Sequence, residues 1–158
     1  NYGGLRMTKI SVNKLPTLIG KDLGCSDWLS IDQDRINLFA DCTEDHQFIH
    51  IDEDRAKKET PFGGTIAHGF LSLSLLSKLS NGVAVELENV KMAINYGFEK
   101  IRFIQPVPSG SKVRAHFFLN NADERKPNQW MLTYDISVEI EGSDKPVLSA
   151  QWLTIQLL

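Results

Sequence analysis

Hydrophobic and polar residues alternate along much of the C-terminal part of the chain, as expected for antiparallel strands with one buried face. The alternation is clearest over 130–141, where one side carries Leu132, Tyr134, Ile136, Val138 and Ile140. Segments 99–106, 112–121 and 147–157 are also strand-like, with turns at 108–110 and 142–146 and a polar loop over 121–128. The pattern predicts an antiparallel meander.

Residues 67–79 show a different pattern, which is apolar on nearly every side of a helix and is interrupted mainly by serines. A helix that is apolar on every face is usually buried. A long buried helix followed by antiparallel strands predicts an α+β fold in which the sheet wraps around the helix.

The N-terminal half predicts shorter elements. Residues 12–20 indicate a short helix closed by Gly20, and residues 28–31 indicate a strand. Asp32 and Asp52 have the character of N-caps, each followed by acidic residues in the first turn of a predicted helix. No repeat, linker or low-complexity segment interrupts the sequence, so we expect a single domain over 1–158.

Composition narrows the classes of function. The net charge of −3 gives no electrostatic reason for binding nucleic acid or an anionic membrane surface. No apolar run approaches the ~20 residues of a membrane helix. Cys25 and Cys42 form no CxxC pattern, which favours reduced thiols and a cytoplasmic location. We interpret residues 1–6 as an appended remnant ahead of a natural start at Met7, and no signal peptide is apparent.

Asp45 and His50 are the first candidates for chemistry. Positions five apart are about 140° out of register on a helix and lie on opposite faces of a strand. The two side chains therefore converge only if a turn separates them, and such loops often bear functional residues. Asp45 would then accept a proton from water, and His50 would orient that water or share the transfer. In the alternative, structural interpretation, Asp45 caps the turn and His50 fills a half-buried pocket.

A second candidate feature is the pair His68 and Gly69 at the entrance of the predicted buried helix. The N–H of Gly69 lies near a helix N-terminus, where developing negative charge is favoured. The missing side chain also allows a substrate to approach closely. Together with Asp45 and His50, this donor suits the addition of water across an activated double bond.

The remaining motifs give weaker signals. His46 and His50 have the spacing of the His-Glu-x-x-His zinc motif, but Gln47 replaces the glutamate that acts as general base. A third ligand is not evident nearby, so we expect no metal site. No Gly-x-Ser-x-Gly elbow or Ser-His-Asp set supports a nucleophilic serine.

Several segments taken together resemble the MaoC-like hydratases, the (R)-specific enoyl-CoA hydratase family, and most closely their NodN-like branch. These segments are Phe39-Ala-Asp41, Asp45-His-Gln-Phe-Ile-His50, Thr65-Ile-Ala-His-Gly-Phe70, Asn95-Tyr-Gly-Phe98, Lys100-Ile-Arg-Phe103 and Pro106-Val-Pro108. The resemblance extends from about residue 12 to residue 155. It implies a hot-dog fold, a homodimer with sites where the protomers meet, and a role in fatty acid metabolism.

The resemblance also implies an activity and a catalytic set. The activity is (R)-specific hydration of trans-2-enoyl-CoA thioesters and the reverse dehydration of (R)-3-hydroxyacyl thioesters. Asp45 and His50 match the family's catalytic pair, and Gly69 matches the residue whose N–H faces the thioester oxygen. No separate cofactor is implied, because coenzyme A is part of the substrate.

Four further residues are candidates for substrate binding. Gln47 stands where the family usually has asparagine and offers the same amide on a longer arm, whereas the next residue is phenylalanine in place of the usual proline. His68 either contacts the substrate or caps the helix and bonds to the backbone, and we favour the structural role. Lys100 and Arg102 either form a solvated strand face or contact the phosphates of coenzyme A.

Two other functions remain open from the sequence. Hot-dog folds also host thioesterases, since a fold does not determine a function. A non-catalytic protein that binds an acyl thioester, or pairs with another subunit, is the third hypothesis. The spacing of Asp45 and His50 favours hydration over hydrolysis.

Overall fold

A six-stranded antiparallel sheet is the main element of the structure, a computed structural model that describes residues 8–158. Residues 1–7 lie outside the described residues. The interpretation of residues 1–6 as a remnant, with Met7 as the natural start, falls on that segment. The strands are β1 (Lys21–Cys25), β2 (Leu29–Ile31), β3 (Met92–Phe103), β4 (Ser111–Lys126), β5 (Gln129–Ile140) and β6 (Leu148–Leu157). Their order in the sheet is β1-β4-β5-β6-β3, and β2 also pairs with β4.

The predicted meander is present, but two of its limits were wrong. The segment 121–128 is not a loop, because β4 continues to Lys126 and pairs with β5, so that only a tight turn around Asn128 remains. Its side chains are polar because this end of the hairpin extends beyond the core, where backbone pairing rather than burial maintains the strands. β3 begins at Met92, well before the predicted start, because residues there pair with the end of β6.

Strand β1 was not predicted from the sequence. It is short, lies at an edge of the sheet, and has a register shift between Asp22 and Gly24, where Gly24 has a φ of +92°. Its residues are exposed or half-buried, so they show little of the alternation by which strands are recognised.

Short helices precede the central helical segment. Residues 12–20 contain a 3-10 turn (Val12–Lys14) and α1 (Leu15–Leu18), and Gly20 follows with a φ of +78°. The predicted caps are confirmed, since the carboxylate of Asp32 accepts the N–H of Arg35 and that of Asp52 accepts the N–H of Arg55. The corresponding helices are α2 (Gln33–Thr43) and α4 (Glu53–Glu59), with α3 (Phe48–Ile51) between them.

The central helical segment lies against the sheet, although it is not one continuous buried helix as predicted. It forms α5 (Gly69–Ser74) and α6 (Leu76–Leu79), separated at Leu75. The hydroxyl of Ser74 donates to the carbonyl of Phe70 at 2.7 Å, and contacts of this kind bend helices. One face is open because a single sheet covers only one side, and Phe70 is 68% exposed.

The core joins the buried face of this segment to the sheet. Leu71, Leu75, Leu76 and Leu79 belong to the same buried cluster as residues of three strands, Phe117, Tyr134 and Trp152. Most of the predicted inward face of β5 is confirmed, since Leu132, Tyr134, Ile136 and Val138 are buried. Ile140 at its end is only half-buried, and Thr133 on the opposite face is buried as well. Within residues 8–158, no helix has the length and apolar character needed to cross a membrane.

Candidate active site

The turn between α2 and α3 brings Asp45 towards His50. Helix α2 ends because Glu44 adopts a left-handed conformation with a φ of +61°. Residues 45–47 are then irregular, and α3 begins at Phe48. A carboxylate oxygen of Asp45 and ring nitrogens of His50 and His68 all lie within 4.8 Å of one another. The expected convergence of Asp45 and His50 is therefore present, with His68 as a third member.

His50 is held in a single orientation by a backbone hydrogen bond. Its ring is buried, and Nδ1 donates to the carbonyl of Ile66 at 2.7 Å. Because that bond requires the proton on Nδ1, Nε2 of the neutral ring has a free lone pair. Burial lowers the pKa of His50 below its ordinary value of 6.5, the nearby His68 lowers it further, and the bond to Ile66 and the charge of Asp45 act in the opposite direction. The ring is therefore neutral at pH 7.

His68 connects the two segments of the site. Its Nε2 donates to the backbone carbonyl of Asp45 at 3.0 Å, and its ring stacks on His50 with 3.8 Å between centroids. Phe39 packs against the ring from α2 at 4.9 Å. The structural role that the sequence favoured, a bond to the backbone, is confirmed. Contact between His68 and a substrate stays a prediction.

His50 and Gly69 open onto the same pocket, which has a volume of about 420 Å³. Its other lining residues are mostly apolar: Ile49, Phe62, Ile66, Ala67, Ser72, Phe103, Ile104, Gln105, Pro106, Val107 and Val147. Such a lining suits an acyl group with few polar atoms.

Gly69 is the first residue of α5, so its N–H has no acceptor within the helix. Because α5 has only six residues, the helix dipole expected from the sequence is smaller, and the free N–H itself is the useful donor. A Cβ at this position would lie 3.0 Å from the ring of Phe103. The ring of Phe103 therefore packs directly against the backbone of Gly69, and a side chain at residue 69 would displace it.

A polar network that the sequence did not indicate holds the backbone of His50 in place through its carbonyl oxygen. The amide of Gln33 donates to the carbonyl of His50 at 2.7 Å and accepts the hydroxyl of Thr65 at 2.6 Å. Glu53 accepts the N–H of Thr65 at 2.9 Å, and it shares the one hydroxyl proton of Thr65 with Gln33, also at 2.9 Å. The N–H of Thr65, then Lys57, then the Thr65 hydroxyl lower the pKa of Glu53 to about 2. These partners lie 12 to 32 residues apart, so no local spacing signals them.

The remaining substrate-binding candidates lie apart from the pocket lining. Gln47 is exposed, makes no side-chain cap for α3, and donates its backbone N–H to Asp45 at 3.3 Å. Lys100 and Arg102 are exposed on β3, and Arg102 bonds to the carbonyl of Ile101 on its own strand. Their roles in binding a substrate stay predictions.

The zinc-like spacing of His46 and His50 is not realised on a helix. His46 precedes α3, and its ring pairs with Asp41 at 2.9 Å on the surface. Among residues 8–158, the group with the composition and spacing to hold a metal ion is instead Asp45, His50 and His68. The expectation that the protein uses no metal stays a prediction.

Comparisons with known proteins identify relatives along most of the chain. The sequence model of a family described as "MaoC like domain" matches residues 14–139. Nodulation protein N of Rhizobium meliloti is 48% identical over 149 residues, which cover 94% of this chain and 92% of that protein. The 3-hydroxyacyl-thioester dehydratase Z of Mycobacterium tuberculosis is 46% identical over 141 residues, 89% of this chain and 92% of that protein.

A solved structure shows the same fold. The (R)-hydratase from A. caviae involved in PHA biosynthesis superposes with a TM-score of 0.70 at 23% identity, covering 86% of this chain and 94% of that chain. The predicted α+β hot-dog architecture is thereby confirmed.

Proposed function

We propose that this chain, which belongs to the MaoC-like domain family, is an (R)-specific 2-enoyl-CoA hydratase. The same enzyme would also dehydrate (R)-3-hydroxyacyl thioesters. The observation that carries the proposal is the cluster of Asp45, His50 and His68 beside the pocket that His50 shares with Gly69. The names of its relatives agree with this chemistry, since one is a 3-hydroxyacyl-thioester dehydratase and another an (R)-hydratase.

In this proposal, three groups divide the reaction between them. A trans-2-enoyl thioester is electrophilic at its β-carbon because the carbonyl oxygen can take up the electron pair. Asp45 accepts a proton as water adds to that carbon, and the neutral His50 holds the same water through Nε2. The N–H of Gly69 donates to the carbonyl oxygen while it has enolate character. Asp45 then gives that proton to the α-carbon, which restores its carboxylate and uses no cofactor, and dehydration follows the same steps in reverse.

The neutral state of His50 suits this division. A protonated imidazole would have no lone pair for the water, whereas the bond from Nδ1 to Ile66 leaves Nε2 as an acceptor. The bond from His68 to the carbonyl of Asp45 fixes the backbone that bears the base. We propose that the rest of the pocket holds the acyl group, and that the exposed Lys100 and Arg102 of β3 contact the coenzyme A phosphates.

We expect purified protein to hydrate crotonyl-CoA to (R)-3-hydroxybutyryl-CoA without releasing free thiol. The reason is that the cluster and Gly69 are suited to water attack at the β-carbon with an enolate oxygen, rather than at the carbonyl carbon. Loss of enoyl absorbance, thiol release and chiral analysis of the product would be measured in one mixture. Thiol release that outpaces loss of the double bond across several chain lengths would show a thioesterase instead. If neither signal appears but acyl-CoA raises the melting temperature, the protein only binds.

We further propose that the protein is a homodimer paired through β3. This strand lies at an edge of the sheet and exposes apolar side chains at Met92, Ile94 and Tyr96. Unpaired edges with apolar residues favour pairing with another chain, and a two-fold axis would cover both edges at once. Phe70 and Phe103, exposed beside the pocket, would then lie close to the partner.

Light scattering at micromolar concentration should show a dimer, and Ile94→Lys should shift it towards monomer, because a charge at the edge opposes strand pairing. Phe118→Lys is the matched control, since Phe118 is exposed on β4, away from that edge. A monomeric wild-type protein, or equal effects of the two substitutions, would count against pairing through β3.

A further inference from the structure

Ser72 is a buried polar residue in the pocket that the proposed mechanism does not use. Its side chain is 4% exposed, and it lines the pocket together with His50 and Gly69. Within the part of the chain that the structure describes, its hydroxyl has no hydrogen-bond partner. Burying an unpartnered hydroxyl is costly. An unpaired donor at the wall of a ligand pocket therefore points to a bond made with the ligand.

The same helix shows what a serine does when it has no such role. The hydroxyl of Ser74 donates to the carbonyl of Phe70 four residues earlier, at 2.7 Å, which is the common arrangement in helices. The equivalent acceptor for Ser72 is the carbonyl of His68, which already accepts the backbone N–H groups of Leu71 and Ser72. The hydroxyl of Ser72 does not make this bond, so it remains an unpaired donor in a residue that lines the pocket.

The position of Ser72 relative to Gly69 indicates which ligand atom it reaches. Residues three apart are neighbours on a helix surface. Helical side chains also lean back towards the N-terminus, so that a side chain covers the turn before its own Cα. The hydroxyl of Ser72 therefore lies over the turn that begins at Gly69, and both residues line one pocket.

We propose that the Ser72 hydroxyl is a second hydrogen-bond donor to the thioester carbonyl oxygen, beside the N–H of Gly69; this inference rests on the proposed hydratase function. As water adds to the β-carbon, the electron pair of the double bond moves towards that oxygen, and the bond from Ser72 strengthens. The serine keeps its proton and forms no covalent bond. It is not a nucleophile, because its hydroxyl has no hydrogen bond to His50 that would activate it.

The test compares Ser72→Thr with Ser72→Val in the full-length protein, using crotonyl-CoA as substrate. These variants have the same shape and differ only in the hydroxyl, so crowding affects both equally. We expect Ser72→Val to turn over about 10²-fold more slowly than Ser72→Thr, as is typical when one donor to a developing oxyanion is removed. The difference should appear in kcat with little change in KM, because the bond strengthens in the transition state.

Stability provides a second readout that separates a ligand contact from a structural one. Ser72→Ala removes no bond within the protein, so its melting temperature should equal or exceed that of the wild type. Ser74→Ala, which loses the bond to Phe70, is the control and should retain wild-type kcat. Equal kcat for Ser72→Thr and Ser72→Val, or a lower melting temperature for Ser72→Ala, would overturn the role of Ser72 alone. A wild-type protein that hydrates no enoyl thioester would overturn the proposed function, and this inference with it.

Discussion

Replacing Asp45 with asparagine should lower kcat/KM for crotonyl-CoA hydration by about 10²–10⁴-fold, the usual contribution of a general base. Asparagine has nearly the same shape as aspartate but cannot accept the proton of water. The fold should be unaffected, because the backbone carbonyl of Asp45 keeps its bond from His68 and an amide oxygen can still accept the N–H of Gln47. Both contacts are therefore compatible with the substitution.

Asp41→Asn is the matched control for this experiment. Asp41 is an exposed carboxylate four residues earlier, paired with His46, so its loss removes the same charge from the same region. Hydration rates and melting temperatures of both variants would be measured side by side. An Asp45→Asn protein with wild-type melting and wild-type turnover would remove Asp45 from the mechanism.

The second large effect is expected at His50. His50→Ala should lower turnover by about 10²-fold or more, because the site loses the group that orients the attacking water. His46→Ala should change turnover little, since the ring of His46 only pairs with an exposed aspartate on the surface. Such surface pairs contribute about 0–1 kcal/mol to folding stability. His68→Ala should lie between them, because it loses the bond that fixes Asp45 but not a group assigned to the water. Equal losses at all three positions, at matched stability, would contradict these assignments.

The pH dependence of the wild-type enzyme checks the state of His50 separately. Burial lowers its pKa, so the ring stays neutral as the pH falls from 7 through the ordinary value of 6.5. Hydration should therefore persist below pH 6.5 and decline only when the ring gains a proton on Nε2. A profile of kcat/KM against pH measures this directly. A decline centred above pH 6.5 would show that the free enzyme needs a group other than neutral His50.

Much of the local structure was predictable because it depends on neighbouring residues. The caps at Asp32 and Asp52 arise from a side chain that bonds to a backbone N–H three residues later. The alternation in β5 reflects the two faces of one strand. The spacing of Asp45 and His50 allowed only a turn, and the left-handed Glu44 at the end of α2 provides it. In each case, the partners lie within a few positions along the chain.

The errors occur where distant partners decide the structure. Residues 121–126 have a polar sequence but form a strand because β5 pairs with them. The segment 67–79 is apolar, yet it is divided at Leu75, and Phe70 is exposed because the sheet covers only one side. Polarity alone could not distinguish a loop from an extended hairpin, nor one long helix from two short ones.

The sequence by itself determined the short-range features of this protein: the capped helices, the alternating strands, and a turn that places Asp45 and His50 together. Only the tertiary structure decided that His68 stacks on His50 and that Gln33, Thr65 and Glu53 support the site from behind. It also decided that Ser72, whose hydroxyl is unpaired whereas that of Ser74 in the same helix is bonded, lines the pocket. The physical reason is that hydrogen bonds and burial act between atoms that are close in space, whereas sequence patterns report only neighbours along the chain.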